Sequence, residues 1–133
     1  MILVDTSVLI AYLGGKPVRT AAALQKLLDE DAAFFLTPVV IQEVLQGARD
    51  EKQWKLLHRY LEGQPIVDAA DSVAHAIAAA RIYVDCRRKG LTIRSSVDCW
   101  IAQLALEHDL TLLHDDRDFE TIARVRPLRQ LRP

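Results

Sequence analysis

Four carboxylates, Asp5, Glu43, Asp98 and Asp116, stand where an ordinary solvated acid is not expected. Asp5 directly ends the apolar run Ile2, Leu3 and Val4, and Asp116 follows shortly after the run Leu110 to Leu113. Glu43 is set among Val39, Val40, Ile41, Val44 and Leu45, with no Lys or Arg one helical turn away on either side. Asp98 lies between Val97 and Cys99-Trp100-Ile101, near a helix start, where the helix dipole favours its ionised form. Burying a lone carboxylate is costly, so such acids pair with a cation or a metal, or stay protonated. An all-oxygen set with no His or Cys partner suits hard cations, Mg²⁺ or Mn²⁺, rather than zinc. Each acid also has a plainer reading: Asp5 as a turn or cap, Glu43 as an exposed helix acid, Asp98 as a dipole partner, Asp116 as a loop acid.

Such acids act together only if the elements carrying them converge. Met1 to Val4 reads as a strand, Asp5-Thr6-Ser7 as a polar turn, and the apolar run from Val8 as a helix broken by Gly14, Gly15 and Pro17. A second helix is predicted over Val18 to Asp31 and a strand over Phe34 to Leu36. Thr37 and Pro38 then open a helix that runs to Gln46, with Gly47 as its stop. Trp54, Leu57, His58 and Leu61 share a face of the next helix, and Ile66-Val67 reads as a strand. Asp71 or Ser72 caps an alanine-rich helix reaching Lys89 and ended by Gly90; Ser95 or Ser96 caps the helix that carries Asp98. Leu110 to Leu113 reads as a strand, Asp118 to Ala123 as a short helix and Leu128 to Leu131 as an edge strand. Strands alternating with helices imply an α/β fold with a parallel sheet covered on both faces. Ligands of such sheets bind beyond the carboxyl ends of the strands, which ranks Asp5 and Asp116 above acids elsewhere.

The 133 residues, 50% hydrophobic and 26% charged with a net charge of −1, match a single domain spanning 1–133. No apolar stretch approaches the roughly 20 residues needed to cross a bilayer. Met1 leads straight into Ile2, Leu3 and Val4 without a basic leader, so a cytoplasmic location is expected. Cys86 and Cys99 fit neither a zinc site nor a disulfide framework and read as small buried apolar residues. Arg124, Arg126, Arg129 and Arg132 make the tail basic, and Arg87, Arg88 and Lys89 form a second cluster. Such clusters are usually solvated faces, and they can also meet phosphate chains.

The strings MILVDTSVLIAYL, TPVVIQEVLQGA and IRSSVDCWIAQLALEHDLTLLHDDRDFETIA resemble the PIN-domain family, and within it the VapC-type toxin ribonucleases of bacterial toxin–antitoxin pairs. The resemblance covers nearly the whole chain. It implies a PIN-like three-layer α/β/α sandwich with a short-stranded, mainly parallel central sheet. It also implies that Asp5 of VDTS, Glu43 of IQEV, Asp98 of SVDCWIA and Asp116 of HDDRDF surround one or two divalent cations. The family pattern places the functional acid of HDDRDF three before Phe119, which selects Asp116 over Asp115 and Asp118. Ser7 matches the family's small polar residue two places after the first Asp, where a hydroxyl can orient a metal-bound water or that carboxylate; a helix cap is its plainer reading.

The activity so implied is endoribonuclease cleavage dependent on Mg²⁺, with Mn²⁺ as a substitute. Hydrolysis of a phosphodiester needs an activated water and neutralisation of charge on the phosphoryl oxygens, and acid-bound metal supplies both. Asp5, Asp98 and Asp116 would hold the metal, with Glu43 a further ligand or general base. Crowded carboxylates raise at least one pKa in the absence of metal, and they repel RNA unless basic groups flank them. Arg94 and Arg117 are candidate RNA-binding residues, since a guanidinium suits two phosphate oxygens at once. The family is restrained by a small antitoxin and usually dimerises, so RNA, a cognate antitoxin and a second copy are the implied partners. Tyr12, Leu13, Trp54 and Leu57 are candidates for the antitoxin groove, and Trp100 or the alanine-rich helix for a dimer surface. The competing reading is a non-catalytic PIN-like RNA- or protein-binding module. Its usual mark, loss of an acid, is absent here.

Overall fold

The computed structural model describes all residues, Met1–Pro133. Four short strands, β1 (Ile2–Val4), β2 (Phe34–Phe35), β3 (Thr111–Leu113) and β4 (Gln130–Leu131), form one sheet in the order β2-β1-β3-β4. Every pairing is parallel, with Ile2 beside Phe34 and Thr111, and Leu112 beside Gln130. Leu3, Val4, Leu112 and Leu113 are all fully buried. Neighbouring residues of a strand point to opposite faces, so the central strands are covered on both sides, as the three-layer expectation requires.

The covering helices are α1 (Thr6–Leu13), α2 (Arg19–Asp29), α3 (Pro38–Gln46), α4 (Glu51–Glu62), α5 (Ser72–Arg88), α6 (Ser96–Glu107) and α7 (Arg117–Ile122). One group packs through α1 against α2 and α3, and the other through α6 against α5 and α7. Along α5, His75, Ala79, Ile82 and Cys86 recur at helical spacing and are the buried residues, while Ala74, Ala76 and Ala80 are exposed. Leu91 returns its N–H to the Cys86 carbonyl through Gly90, whose φ of 73° is readily reached without a Cβ. Phe119 and Ile122 of α7 are fully buried in the same core.

Most predicted boundaries match to within a residue or two, and every strand is shorter than its predicted run. Ile66-Val67 forms no ladder; Leu36 bridges Ile66 through two backbone bonds, to the Pro65 carbonyl and from the Val67 N–H, at 2.9 Å each. Pro65 has no N–H to extend the pairing, and Ile66 is left exposed. The edge strand starts at Gln130 rather than Leu128. The basic tail is not a free solvated arm: Arg126 pairs with Asp85 at 2.8 Å, Arg129 with Asp109 at 2.8 Å, and Arg132 with both Asp115 and Glu120. Cys86 and Cys99 are buried free thiols, as expected. No helix is long and apolar enough to cross a membrane.

Candidate metal centre

The site forms where the strand order reverses. From β1 the chain proceeds to β2 on one side, and from β3 to β4 on the other, so the adjacent carboxyl ends of β1 and β3 face an open crevice. Asp5 follows β1 there, its N–H bonded to the Leu113 carbonyl at 3.0 Å, and Asp116 follows β3. The plainer readings of these two acids also hold, because each caps the helix that follows. Asp5 accepts the Ser7 N–H at 3.1 Å at the start of α1, and Asp116 accepts the Asp118 N–H at 2.9 Å at the start of α7. A short strand feeding directly into a capped helix thus sets each carboxylate at the sheet's end.

Ser7 donates its hydroxyl to Asp5 Oδ2 at 2.5 Å and accepts the Asp115 N–H at 3.0 Å, so it orients the first carboxylate, one of the two roles expected of it. Glu43, in the middle of α3, is half-buried and accepts the Thr6 hydroxyl at 2.8 Å. Thr6, read from sequence only as part of a polar turn, therefore ties α3 to the end of β1. Burial, together with the nearby Glu43 charge, raises the Asp5 carboxyl above its ordinary value despite three hydrogen bonds from Ser7 and Thr6.

Asp98, in the first turn of α6, is buried and its Oδ2 has no hydrogen-bond partner. Burial pushes its carboxyl up to about 9, helped by a proton shared with Asp118 and by the charges of Asp5, Asp116 and Asp118. Asp118 moves the other way: burial alone would raise it, but the contact with Asp98, the Arg94 and Ser95 amides and the Arg94 guanidinium hold it below the usual carboxylate range. The family-based choice of Asp116 over Asp118 left this residue out, yet Asp98, Asp116 and Asp118 each offer an oxygen within 4.8 Å of one another. Asp118 also accepts the Arg94 and Ser95 N–H groups at 3.1 Å, which ties it to the loop just before α6. No local pattern marked it, because the amides it binds precede α6 and lie 23 and 24 residues away in sequence.

Arg94 reaches Asp116 Oδ1 at 3.1 Å and Asp118 Oδ1 at 3.6 Å while remaining largely exposed. Arg117 is exposed at the first position of α7, beside Asp116. Asp115 turns away to Arg132. The donor set is therefore carboxylate oxygen throughout, crowded enough to retain a proton, with one buried oxygen left without a partner. That is the chemistry of a hard-cation site.

A PIN-domain family profile matches residues 2–125. The chain belongs to the PIN-domain family. This PIN domain is 38% identical over 126 residues to ribonuclease VapC11 of Mycobacterium tuberculosis, covering 94% of this chain and 93% of that one. Ribonuclease VapC51 of the same organism is 33% identical over 124 residues, covering 92% and 85%. Among solved structures, the PIN domain is similar to a chain of VapBC2 from Rickettsia felis bound to a DNA fragment from its promoter, with a TM-score of 0.74, 19% identity and 98% of both chains covered. VapBC-1 from nontypeable Haemophilus influenzae gives a TM-score of 0.73 at 19% identity, covering 98% of this PIN domain and 97% of that chain.

A groove of about 770 Å³ runs between α3, α5 and α6, and none of the site acids lines it. Val39, Ala76, Tyr83 and Trp100 line it, with Gln42 next to Glu43 and Val97 next to Asp98. The alanine-rich helix and Trp100 thus border a surface groove. Tyr12, Leu13, Trp54 and Leu57, the sequence candidates for a partner groove, do not line it. Tyr12, Leu13 and Leu57 are partly buried against the core, Tyr12 also lines a second groove of about 510 Å³ with residues of α2, and Trp54 is exposed on α4 beside His58.

Proposed function

We propose that this PIN domain is a metal-dependent endoribonuclease, the toxin of a toxin–antitoxin pair, held inactive by a cognate antitoxin. The observation that carries the reading is the buried, partnerless oxygen of Asp98 among Asp5, Asp116 and Asp118 at the switch point of the sheet. Similarity to named VapC ribonucleases over 94% of the chain supports the substrate class. The likeness to chains of VapBC assemblies is a likeness of fold, and it agrees with the antitoxin reading.

Asp5, Asp98 and Asp116 would hold Mg²⁺, or Mn²⁺ in its place, with Glu43 contributing directly or through water. Bound metal supplies charge neutralisation at the phosphate and an acidified water. Ser7 and Thr6 keep Asp5 and Glu43 from turning to solvent. Arg94, half engaged by Asp116 and Asp118, is free to present its outer donors to a phosphate, and Arg117 stands beside it. The groove between α3, α5 and α6, whose lining includes Gln42 of α3 and Val97 of α6, is where an inhibiting antitoxin segment would dock. A single domain over 1–133 and a homodimer complete the reading.

The test is cleavage of a mixed RNA pool by antitoxin-free protein with Mg²⁺, with Mn²⁺, with EDTA, and with Asp5→Asn and Asp98→Asn in parallel. Cleavage that needs metal and vanishes in both variants is the expected result. Folded protein that binds RNA or antitoxin equally well without the acids, and cleaves nothing, would replace the enzyme reading with that of an interaction module.

A further inference from the structure

The loop His114-Asp115-Asp116 that follows β3 is held from an unexpected direction, the last strand of the chain. His114 is fully buried, with its ring tilted against Phe119 at a centroid distance of 5.0 Å. Its Nδ1 receives the Asp116 backbone N–H at 3.1 Å, and its Nε2 lies 2.6 Å from Gln130 Oε1 on β4. The hydrogen of a backbone amide is fixed by the peptide plane, so Nδ1 must be the acceptor. The ring proton is therefore on Nε2 and is donated to Gln130, whose amide is oriented in turn with its oxygen toward the ring.

A second arm starts two residues further along. Arg132 donates from Nε to Asp115 Oδ1 at 3.0 Å, and its Nη1 lies 3.2 Å from Glu120 Oε1. Asp115 then gives its N–H to Ser7 Oγ at 3.0 Å, and Ser7 gives its hydroxyl to Asp5 Oδ2. One arm thus ends on the residue after β3 that carries an acid, and the other on the acid after β1. The first begins on the two-residue edge strand β4 and the second on the residue just after it, and neither segment contributes an acid of its own.

We propose that β4 and the residue after it position the acid site, with His114, locked as its Nε2–H tautomer by Gln130, aiming Asp116, and Arg132 steadying Asp5 through Asp115 and Ser7. The chain's final residues then complete the site rather than merely closing the sheet. The inference rests on the reading of Asp116 as a metal ligand. Partners that orient ligands in this way typically change metal affinity about 10–100-fold when removed.

Three measurements on metal-free protein decide it. Long-range ¹H–¹⁵N NMR of the unsubstituted chain should show the Nε2–H tautomer at His114, and this reading does not depend on any variant folding. Titration with Mn²⁺, followed by the electron paramagnetic resonance of the free ion, should show binding weakened about 10-fold or more by Gln130→Met, with its melting temperature kept within a few degrees. Asp116→Asn is the reference and should weaken Mn²⁺ binding at least as much. An Nδ1–H tautomer, or Gln130→Met binding like the unsubstituted chain while Asp116→Asn does not, overturns the positioning role. Undiminished binding by Asp116→Asn instead removes the ligand reading of Asp116, and with it the role of His114 toward metal.

Discussion

Asp98 is the residue at which burial and charge act in the same direction. Its carboxyl, pushed up to about 9 first by burial and then by its acidic neighbours, binds a proton in the folded chain that the unfolded chain has already released above its ordinary 3.8. Stability from this group is therefore full below about pH 4 and falls as pH rises toward about 9. Asp5 is raised and has the same sign, whereas Asp118 and Asp85 are lowered and act below the ordinary carboxylate range. Metal-free protein should melt at a higher temperature at pH 5.5 than at pH 9, and Asp98→Asn should remove much of that difference. Parallel melting curves across that range would refute the account. Because metal must displace this proton, binding near pH 7 should release about one proton per ion, measurable calorimetrically in buffers of different ionisation enthalpy. The presence of Asp98 in the site was legible from its apolar surroundings. That crowding would leave one of the acids protonated was also expected; that it is Asp98 was not, because this depends on its burial and on three other carboxylates brought close only by folding.

At the scale of elements, α5 and α6 are joined by a polar contact inside an apolar interface. The His75 side chain is fully buried, with Nδ1 at 2.9 Å from Glu107 and Nε2 at 3.0 Å from the Trp100 carbonyl, and its ring lies 4.3 Å from that of Trp100. His75→Ala opens a cavity and leaves the Trp100 carbonyl with one partner fewer, so a loss of roughly 2–4 kcal/mol is expected in urea unfolding. Metal affinity should stay within about threefold, because His75 belongs to neither arm that reaches the acids. A large loss of Mn²⁺ binding would show that α6 is positioned through α5 rather than through its own N-terminus. The helix ends at Thr37-Pro38, Gly47 and Gly90 were readable locally, since proline at a helix start and glycine at a helix end act on near neighbours; of the two glycines only Gly90, at φ 73°, turns left-handed, and the Thr37 hydroxyl makes no cap bond. Ile66-Val67 misled because two apolar residues do not reveal whether a neighbouring strand has room to pair.

Over the whole molecule, the acid site stores repulsion in the metal-free state that a bound cation relieves. Free Mg²⁺ at a hundredfold excess over its Kd should add about 2.7 kcal/mol of stability. For a domain of this size that is a rise in melting temperature of roughly 5–10 °C. Asp98→Asn should show almost none of the rise; an equal rise in the variant would assign the effect to general ion binding.

What the sequence determined by itself is the set of local facts: apolar triplets that end in Asp5 or lead to Asp116, the start of α6 that carries Asp98, and the alternation of elements that makes the sheet parallel. These follow from spacing along the chain, where backbone periodicity and capping act over a few residues. Only the tertiary structure decided that Asp118 joins Asp98, that Thr6 holds Glu43, and that Arg126, Arg129 and Arg132 are paired rather than free. Those outcomes depend on distances between residues far apart in sequence. Coulomb energy and hydrogen bonding vary steeply with distance, and no local pattern encodes it.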